Sequence, residues 1–305
     1  MLRLLLIGQG KWGKNYVKAA EDSGLGKIAA VLTATHLDSF AKHATPPPIQ
    51  SNPLFQEPRE VITSLDLTMI DAAIVATHPP ATEKYAIELL KRGVHVMAEK
   101  PFTFSEDAVA EVEKILEANT HLVFLINHQH LFSHAVHYLR RRVSSTAISY
   151  FKAESGSYGP HRSYPPSLDY GPHDLSLLCY LTSERIELTR HSVTNDATGL
   201  HEHLQVTTQK GLTAVFRFWN NRLPKTHRVE IRTQSFGAVY DDLDESKRIT
   251  IDQHIPSLSY EPPLTLSVRS FLKAIKEKRK EFDIRFGVNL LNLYFPSIKP
   301  IIKVV

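Results

Sequence analysis

Along the first 127 residues, short apolar runs alternate with longer amphipathic stretches. Leu2 to Ile7, Ile28 to Leu32, Ile74 to Thr77, Val94 to Ala98 and Leu122 to Ile126 are rich in branched apolar residues and bounded by Gly, Asp or Pro. Continuous apolar runs of this length are what strands buried on both faces require. Between them, apolar positions recur at helical spacing over Trp12 to Asp22, Glu57 to Ser64, Ala81 to Arg92 and Ser105 to Ala118. Ser105 ahead of Glu106 and Asp107 is an N-cap followed by acids suited to the positive helix end. Strand and helix in strict alternation predict an α/β fold with a doubly wound parallel sheet.

Beyond residue 127 the texture changes. One helix is expected over Phe132 to Arg142, then a loop rich in Tyr, Gly and Pro from Ser155 to Pro172, then a helix from His173 to Leu181. Ile186 to Val193, His203 to Thr208, Leu212 to Trp219, His227 to Thr233, Ala238 to Tyr240 and Arg248 to Ile251 follow without long helices between them, which predicts an open, mostly antiparallel sheet. In Leu212 to Trp219 one face carries Leu212, Ala214, Phe216 and Phe218, and the other Val215 and Trp219 around Thr213 and Arg217. The partly apolar second face suits a subunit interface, so a homo-oligomer, dimer or tetramer, is expected. Leu266 to Ile275 and Phe286 to Tyr294 read as closing helices. The division is therefore 1–127 for a first α/β domain and 128–305 for a second α+β domain.

Composition narrows the function classes. With 305 residues, 42% hydrophobic and 22% charged, the chain is an ordinary globular one. A net charge of +4 is too slight and too dispersed for nucleic-acid binding and fits a small, anionic substrate better. The single cysteine, Cys179, excludes an internal disulfide and points to a reducing compartment. No apolar run reaches a membrane span and Leu4 to Ile7 ends at Gly8 too early for a signal-peptide core, so a cytoplasmic protein without a membrane partner is expected.

Gly8, Gly10 and Gly13 form G-x-G-x-x-G directly after the first strand. There the first glycine permits the tight turn, the second the approach of a pyrophosphate and the third the packing of helix on strand, with the phosphates at the helix N-terminus. The ribose-binding acid expected about 20 residues further on is missing, because the chain there reads Leu32, Thr33, Ala34, Thr35, His36. A carboxylate would repel a 2′-phosphate, so the choice between NAD and NADP leans to NADP, with Thr33, Thr35, His36 and Lys11 as contacts. Trp12 either lines the same crevice or packs.

Glu99-Lys100-Pro101 follows the strand Val94 to Ala98, at the carboxyl end where open parallel sheets bind ligands. An ammonium there can stabilise a developing alkoxide. Asp169-Tyr170-Gly171-Pro172-His173 precedes an apolar helix, with Gly171 as the cap, Pro172 at the first helical position and His173 in the first turn. The positive helix end disfavours an imidazolium, which suits His173 to a general base. Asp169 is placed to orient the imidazole, to contact a substrate hydroxyl or to fix the turn. Arg162 and Tyr164, in the loop just before, are placed to meet substrate. His128 with His130, and His201 with His203, share strand faces, but no acid or cysteine completes either set, so no metal is expected.

Together these motifs resemble the glucose-fructose oxidoreductase, inositol dehydrogenase and rhizopine-catabolism (Gfo/Idh/MocA) oxidoreductases. Gly8 to Gly13, the Ala76-Thr77-His78-Pro79-Pro80 turn, Gly93-Val94-His95-Val96 leading into Glu99-Lys100-Pro101, and Asp169-x-Gly171-x-His173 occur in the family's order. The resemblance implies a Rossmann domain followed by a substrate-binding and oligomerisation domain. It also implies hydride transfer between NAD or NADP and the secondary alcohol or ketone of a sugar, cyclitol or nucleotide sugar. Lys100, Asp169 and His173 become the catalytic set, and Thr77, His78, Pro79 and Glu99 join the cofactor-binding residues. Thr82 stands where the family often has a His, and Pro296 interrupts the final helix. Two rivals remain: a ligand-sensing protein on the same fold without turnover, and a reductase of a non-sugar substrate.

Overall fold

The computed structural model describes residues 1–10, 12–33, 37–39, 58–103, 105–158, 165–196, 199–221, 224–244 and 248–278. They form two compact units. In the first, β1 (Leu2–Ile7), β2 (Gly26–Leu32), β3 (Leu37–Ser39), β4 (Ala72–Val75), β5 (His95–Glu99) and β6 (Phe124–Asn127) make one sheet in the order β3-β2-β1-β4-β5-β6. All neighbours are parallel except the short edge pair β2–β3. The order steps outward from β1 in both directions, so the sheet reverses between β1 and β4, as a Rossmann sheet does.

The sheet is buried because its strands are apolar throughout: Leu4 to Ile7 and Ala72 to Val75 are all inaccessible to solvent or nearly so. Helices α1 (Gly13–Asp22), α2 (Pro58–Ser64), α3 (Pro79–Lys91) and α4 (Glu106–Ala118) accompany the strands. Tyr85, Ala86, Leu89 and Leu90 of α3 and Val112 of α4 enter one core with Leu5, Ile7, Val75, Val96 and Ala98. Ser105 caps α4 through the Ala108 N–H, as its position ahead of two acids predicts.

In the second unit, β7 (Ile148–Ser157), β8 (Ile186–Asp196), β9 (Gly199–Thr208), β10 (Thr213–Asn221), β11 (Thr226–Thr233), β12 (Gly237–Asp241) and β13 (Ile249–Ile251) form a sheet in the order β13-β12-β11-β7-β10-β9-β8. Every pairing is antiparallel except β7 with β10. Ala214, Phe216 and Phe218 are buried while Thr213 and Arg217 face out, the alternation predicted for β10. Helix α5 (His134–Val143), the short α6 (Pro166–Asp169) and α7 (Gly171–Thr182) complete the unit, with α7 packed on β7 and β10.

Two expectations need correction. The loop expected from Ser155 to Pro172 is shorter at both ends, because Ser155 to Ser157 finish β7, a central strand of the second sheet, and Pro166–Asp169 form α6. Helix α8 (Pro263–Glu277), expected in the second domain, belongs from Leu264 onward to the first unit. Its Arg269 donates to the Ser23 and Asp22 carbonyls at the end of α1, and Leu272 lies where a side chain at Gly26 would have to go. The helix expected over Phe286 to Tyr294 lies outside the described residues.

Candidate functional site

The glycine turn is built from close approaches. Gly8 has φ +92°, and a Cβ there would meet the Ala76 carbonyl oxygen at 2.5 Å. A Cβ on Gly13 would stand 2.0 Å from the Gly8 oxygen, so helix α1 approaches β1 only because that position is bare. Gly10 differs: among the described residues nothing lies within 4 Å of where its Cβ would stand. Two glycines are thus required by the fold and the third leaves open space, the division of labour that a pyrophosphate seated at the start of α1 requires. The cradle fits a dinucleotide. Gly8, Gly10 and Gly13 would hold its phosphates, and the cofactor when bound would supply a hydride acceptor or donor.

Thr77, His78 and Pro79 form the matching turn after β4. His78 is exposed at the N-terminus of α3, whose first residue is Pro79. Thr82, in the position where the resemblance leads one to expect His, is buried and gives its hydroxyl to Thr77, at 2.9 Å from the hydroxyl and 3.0 Å from the carbonyl. It stabilises the turn. Thr33 follows β2 and is half-buried. Lys11, Thr35 and His36 lie outside the described residues.

At the end of β5, Glu99 is buried and surrounded by donors. Trp12 Nε1 donates to its Oε1 at 2.8 Å, Asn127 Nδ2 at 3.2 Å, and the Tyr16 hydroxyl makes a short hydrogen bond to the same oxygen. Its second oxygen accepts from the Lys100 backbone N–H at 3.1 Å. Burial, and then the negative charge of Glu99, push the Tyr16 phenol well above its ordinary range and keep it a donor. Glu99 therefore ties α1, β5 and β6 together and holds the backbone of Lys100, whose bond to Pro101 is cis. Trp12 is 43% exposed although its indole nitrogen is engaged, so it both braces Glu99 and presents a ring to solvent. Tyr16 and Asn127 escaped the sequence reading because they stand on different elements with no shared spacing.

In the second unit, Asp169 ends α6 and His173 lies in the first turn of α7. Helix α7 begins one residue earlier than expected, with Tyr170 rather than Gly171 at the cap. Asp169 and His173 are both half-buried, at adjacent helix ends. The structure adds neighbours that no spacing announced. His173 meets His130 edge-on, with ring centroids 4.6 Å apart, and His130 meets His227 at 4.4 Å. His227 Nε2 pairs with Asp174 at 2.9 Å, and Asp174 also accepts from Ser155 at 2.6 Å. Burial pulls the His227 imidazole down, but the charge and hydrogen bond of Asp174, helped by Asp242, raise it to about 9. His130 thus belongs to this cluster rather than to a pair with His128. Arg162 and Tyr164 lie outside the described residues.

The architecture is a Rossmann unit first and an α+β unit second. Residues 2–128 match the model of the Gfo/Idh/MocA oxidoreductase family, described as having an NAD-binding Rossmann fold. Solved structures agree along the whole length. A UDP-N-acetylglucosamine 3-dehydrogenase from Acidithiobacillus ferrooxidans is 21% identical with a TM-score of 0.74, covering 97% of this chain and 96% of its own. A scyllo-inositol dehydrogenase from Lactobacillus casei with bound NAD(H) and scyllo-inositol is 14% identical with a TM-score of 0.73, covering 97% and 95%. A variant of a 3-ketoreductase from Actinomadura kijaniata in complex with TDP-benzene and NADP is 17% identical with a TM-score of 0.72, covering 96% and 94%. At these identities the likeness is one of fold. A comparison with curated proteins finds no match. Among the described residues no helix is long and apolar enough to cross a membrane.

Proposed function

We propose that this protein transfers a hydride between a nicotinamide cofactor and a secondary alcohol or ketone of a sugar, cyclitol or nucleotide sugar. The observation that carries the reading is the glycine turn, with Gly8 and Gly13 closed against backbone and Gly10 open, in the same unit as a Lys100 whose backbone is braced by buried Glu99. In this reading the first unit holds the cofactor and the second binds the substrate. Lys100 lowers the effective pKa of the substrate hydroxyl, and His173 takes its proton in the oxidative direction. Asp169 orients the imidazole or holds a substrate hydroxyl. The similar structures act on or carry UDP-N-acetylglucosamine, scyllo-inositol and a TDP ligand, which supports a sugar-like substrate.

NADP is the preferred cofactor, because no carboxylate stands between Leu32 and His36 to repel a 2′-phosphate. A cytoplasmic homo-oligomer is the form in which it works.

Thermal unfolding with saturating NADH and NADPH in parallel tests the cofactor assignment. A ligand at about 100 times its Kd adds about 2.7 kcal/mol, several degrees for a protein of this size. The expected result is a shift, larger with NADPH; no shift with either in a folded sample overturns the reading. Replacing Lys100 by Ala should then lower kcat by about 100-fold or more while cofactor affinity stays within a few-fold. Unchanged turnover on a substrate found by screening sugars and cyclitols would remove Lys100 from the catalytic set.

A further inference from the structure

Trp12 stands inside the glycine turn as the residue that precedes helix α1, and its side chain leaves the turn in a fixed direction. Its indole Nε1 donates at 2.8 Å to Oε1 of Glu99, the last residue of β5. That oxygen also accepts from the Tyr16 hydroxyl and from Asn127 Nδ2, both on fully buried residues, and the other carboxylate oxygen takes the Lys100 N–H. Glu99 is thus held by donors from α1, β6 and the chain that follows it, and a bond to it fixes the indole. Yet 43% of Trp12 stays exposed. A tryptophan placed for packing alone is mostly covered, whereas this ring is locked in place with apolar surface left bare.

The order of the sheet shows what passes that surface. The order β3-β2-β1-β4-β5-β6 reverses between β1 and β4, and a dinucleotide lies across such a reversal with its pyrophosphate at the start of the first helix. Its adenosine ribose is met at the end of the second strand, on the β2 side. The nicotinamide half then runs the other way, toward β4 and β5. Trp12 starts at the pyrophosphate seat and reaches Glu99 on β5, two strands from β1 and roughly 10 Å away at the usual strand spacing. Its ring therefore lies along the course of the nicotinamide half and ends where Lys100 begins.

We propose that Trp12, pinned by Glu99, is the platform on which the nicotinamide half of the cofactor packs. Glu99 then serves the cofactor through this ring and Lys100 through its backbone. The inference rests on the nicotinamide-dependent function proposed above and adds which half of the cofactor Trp12 receives. A ring held rigid before the ligand arrives gives up little freedom when the ligand packs on it, so its apolar surface yields affinity. The platform does nothing for the adenosine phosphates, which belong to the glycine turn and the β2 side, and that separation can be read from binding alone.

The test titrates the full chain by calorimetry with NADPH and with 2′-phospho-ADP-ribose, which lacks the nicotinamide ring. Trp12→Ala should weaken NADPH binding by about 10-fold and leave the ringless compound within about 2-fold. Trp12→Phe keeps a ring but gives up the N–H to Glu99, and its NADPH affinity should fall between the two. Equal weakening of both ligands, or of neither, overturns the proposal while the cofactor reading stands. A folded wild type that binds neither overturns the cofactor reading and this inference with it. Should NADH prove the bound form, NADH and ADP-ribose take their places. Should Trp12→Ala fail to fold, emission decides: the chain has two tryptophans, and Trp219→Phe leaves Trp12 alone. NADP, whose oxidised ring is an electron acceptor, should quench that emission on contact, and the ringless compound should not. Emission unchanged at saturating NADP overturns the proposal.

Discussion

At the residue scale, the three glycines of the first turn separate fold from function. Gly8→Ala places a side chain at φ +92° and 2.5 Å from a backbone oxygen, so the variant should lose on the order of 2 kcal/mol or more and bind no cofactor. Gly10→Ala meets nothing within 4 Å and should melt within a degree or two of the wild type, yet show no stabilisation by NADPH, because the methyl occupies the approach of the pyrophosphate. Two melting curves, each with and without cofactor, check both. The fold roles of Gly8 and Gly13 were legible because a glycine motif after a strand carries its own geometry. The Glu99 network and the histidine cluster were not. Tyr16 and Asn127 meet Glu99 from 83 and 28 residues away, and the Asp174–His227 pair spans 53. No periodicity encodes such distances, and only the folded sheets bring the partners together.

At the level of elements, the two apolar textures of the chain separated the parallel sheet from the antiparallel one, and almost every strand fell within a few residues of its expected place. Strand β7 escaped because its inward face reads Phe151, Ala153, Ser155, and the last is polar. Ser155 turns inward to serve Asp174, so a requirement of the cluster erased the apolar signal of the strand. Phe216 should be among the costliest truncations: it is fully buried and 5.6 Å from the Phe151 ring, and Phe216→Ala should lower stability by about 3–5 kcal/mol in denaturant titration. Gly156 is bare for a related reason, since a Cβ there would stand 2.5 Å from the Trp219 ring that covers it from β10.

For the whole molecule, the buried ion network sets a pH window. His227 is raised to about 9, so its contribution to stability is complete below its unfolded value near 6.5 and is lost as pH climbs through about 9. Burial works against Asp242, yet the hydrogen bond from His227 and the neighbouring basic side chains hold its carboxyl well below the ordinary range. Its contribution is present above about pH 4 and is lost as pH falls. The melting temperature should therefore be highest between about pH 5 and 6.5 and decline from there to pH 9, and His227→Gln should flatten the alkaline decline. The one cysteine plays no part in this, since burial pushes the Cys179 thiol up to about 12. Helix α8, finally, bears on how the chain is made. A ribosome releases all six strands of the first sheet long before Leu264, but Arg269 and Leu272, which cover the end of α1 and the start of β2, emerge only after the whole second sheet. The first sheet is thus covered by its closing helix only after every strand of the second sheet has been made, which leaves the end of α1 and the start of β2 bare in the nascent chain until then.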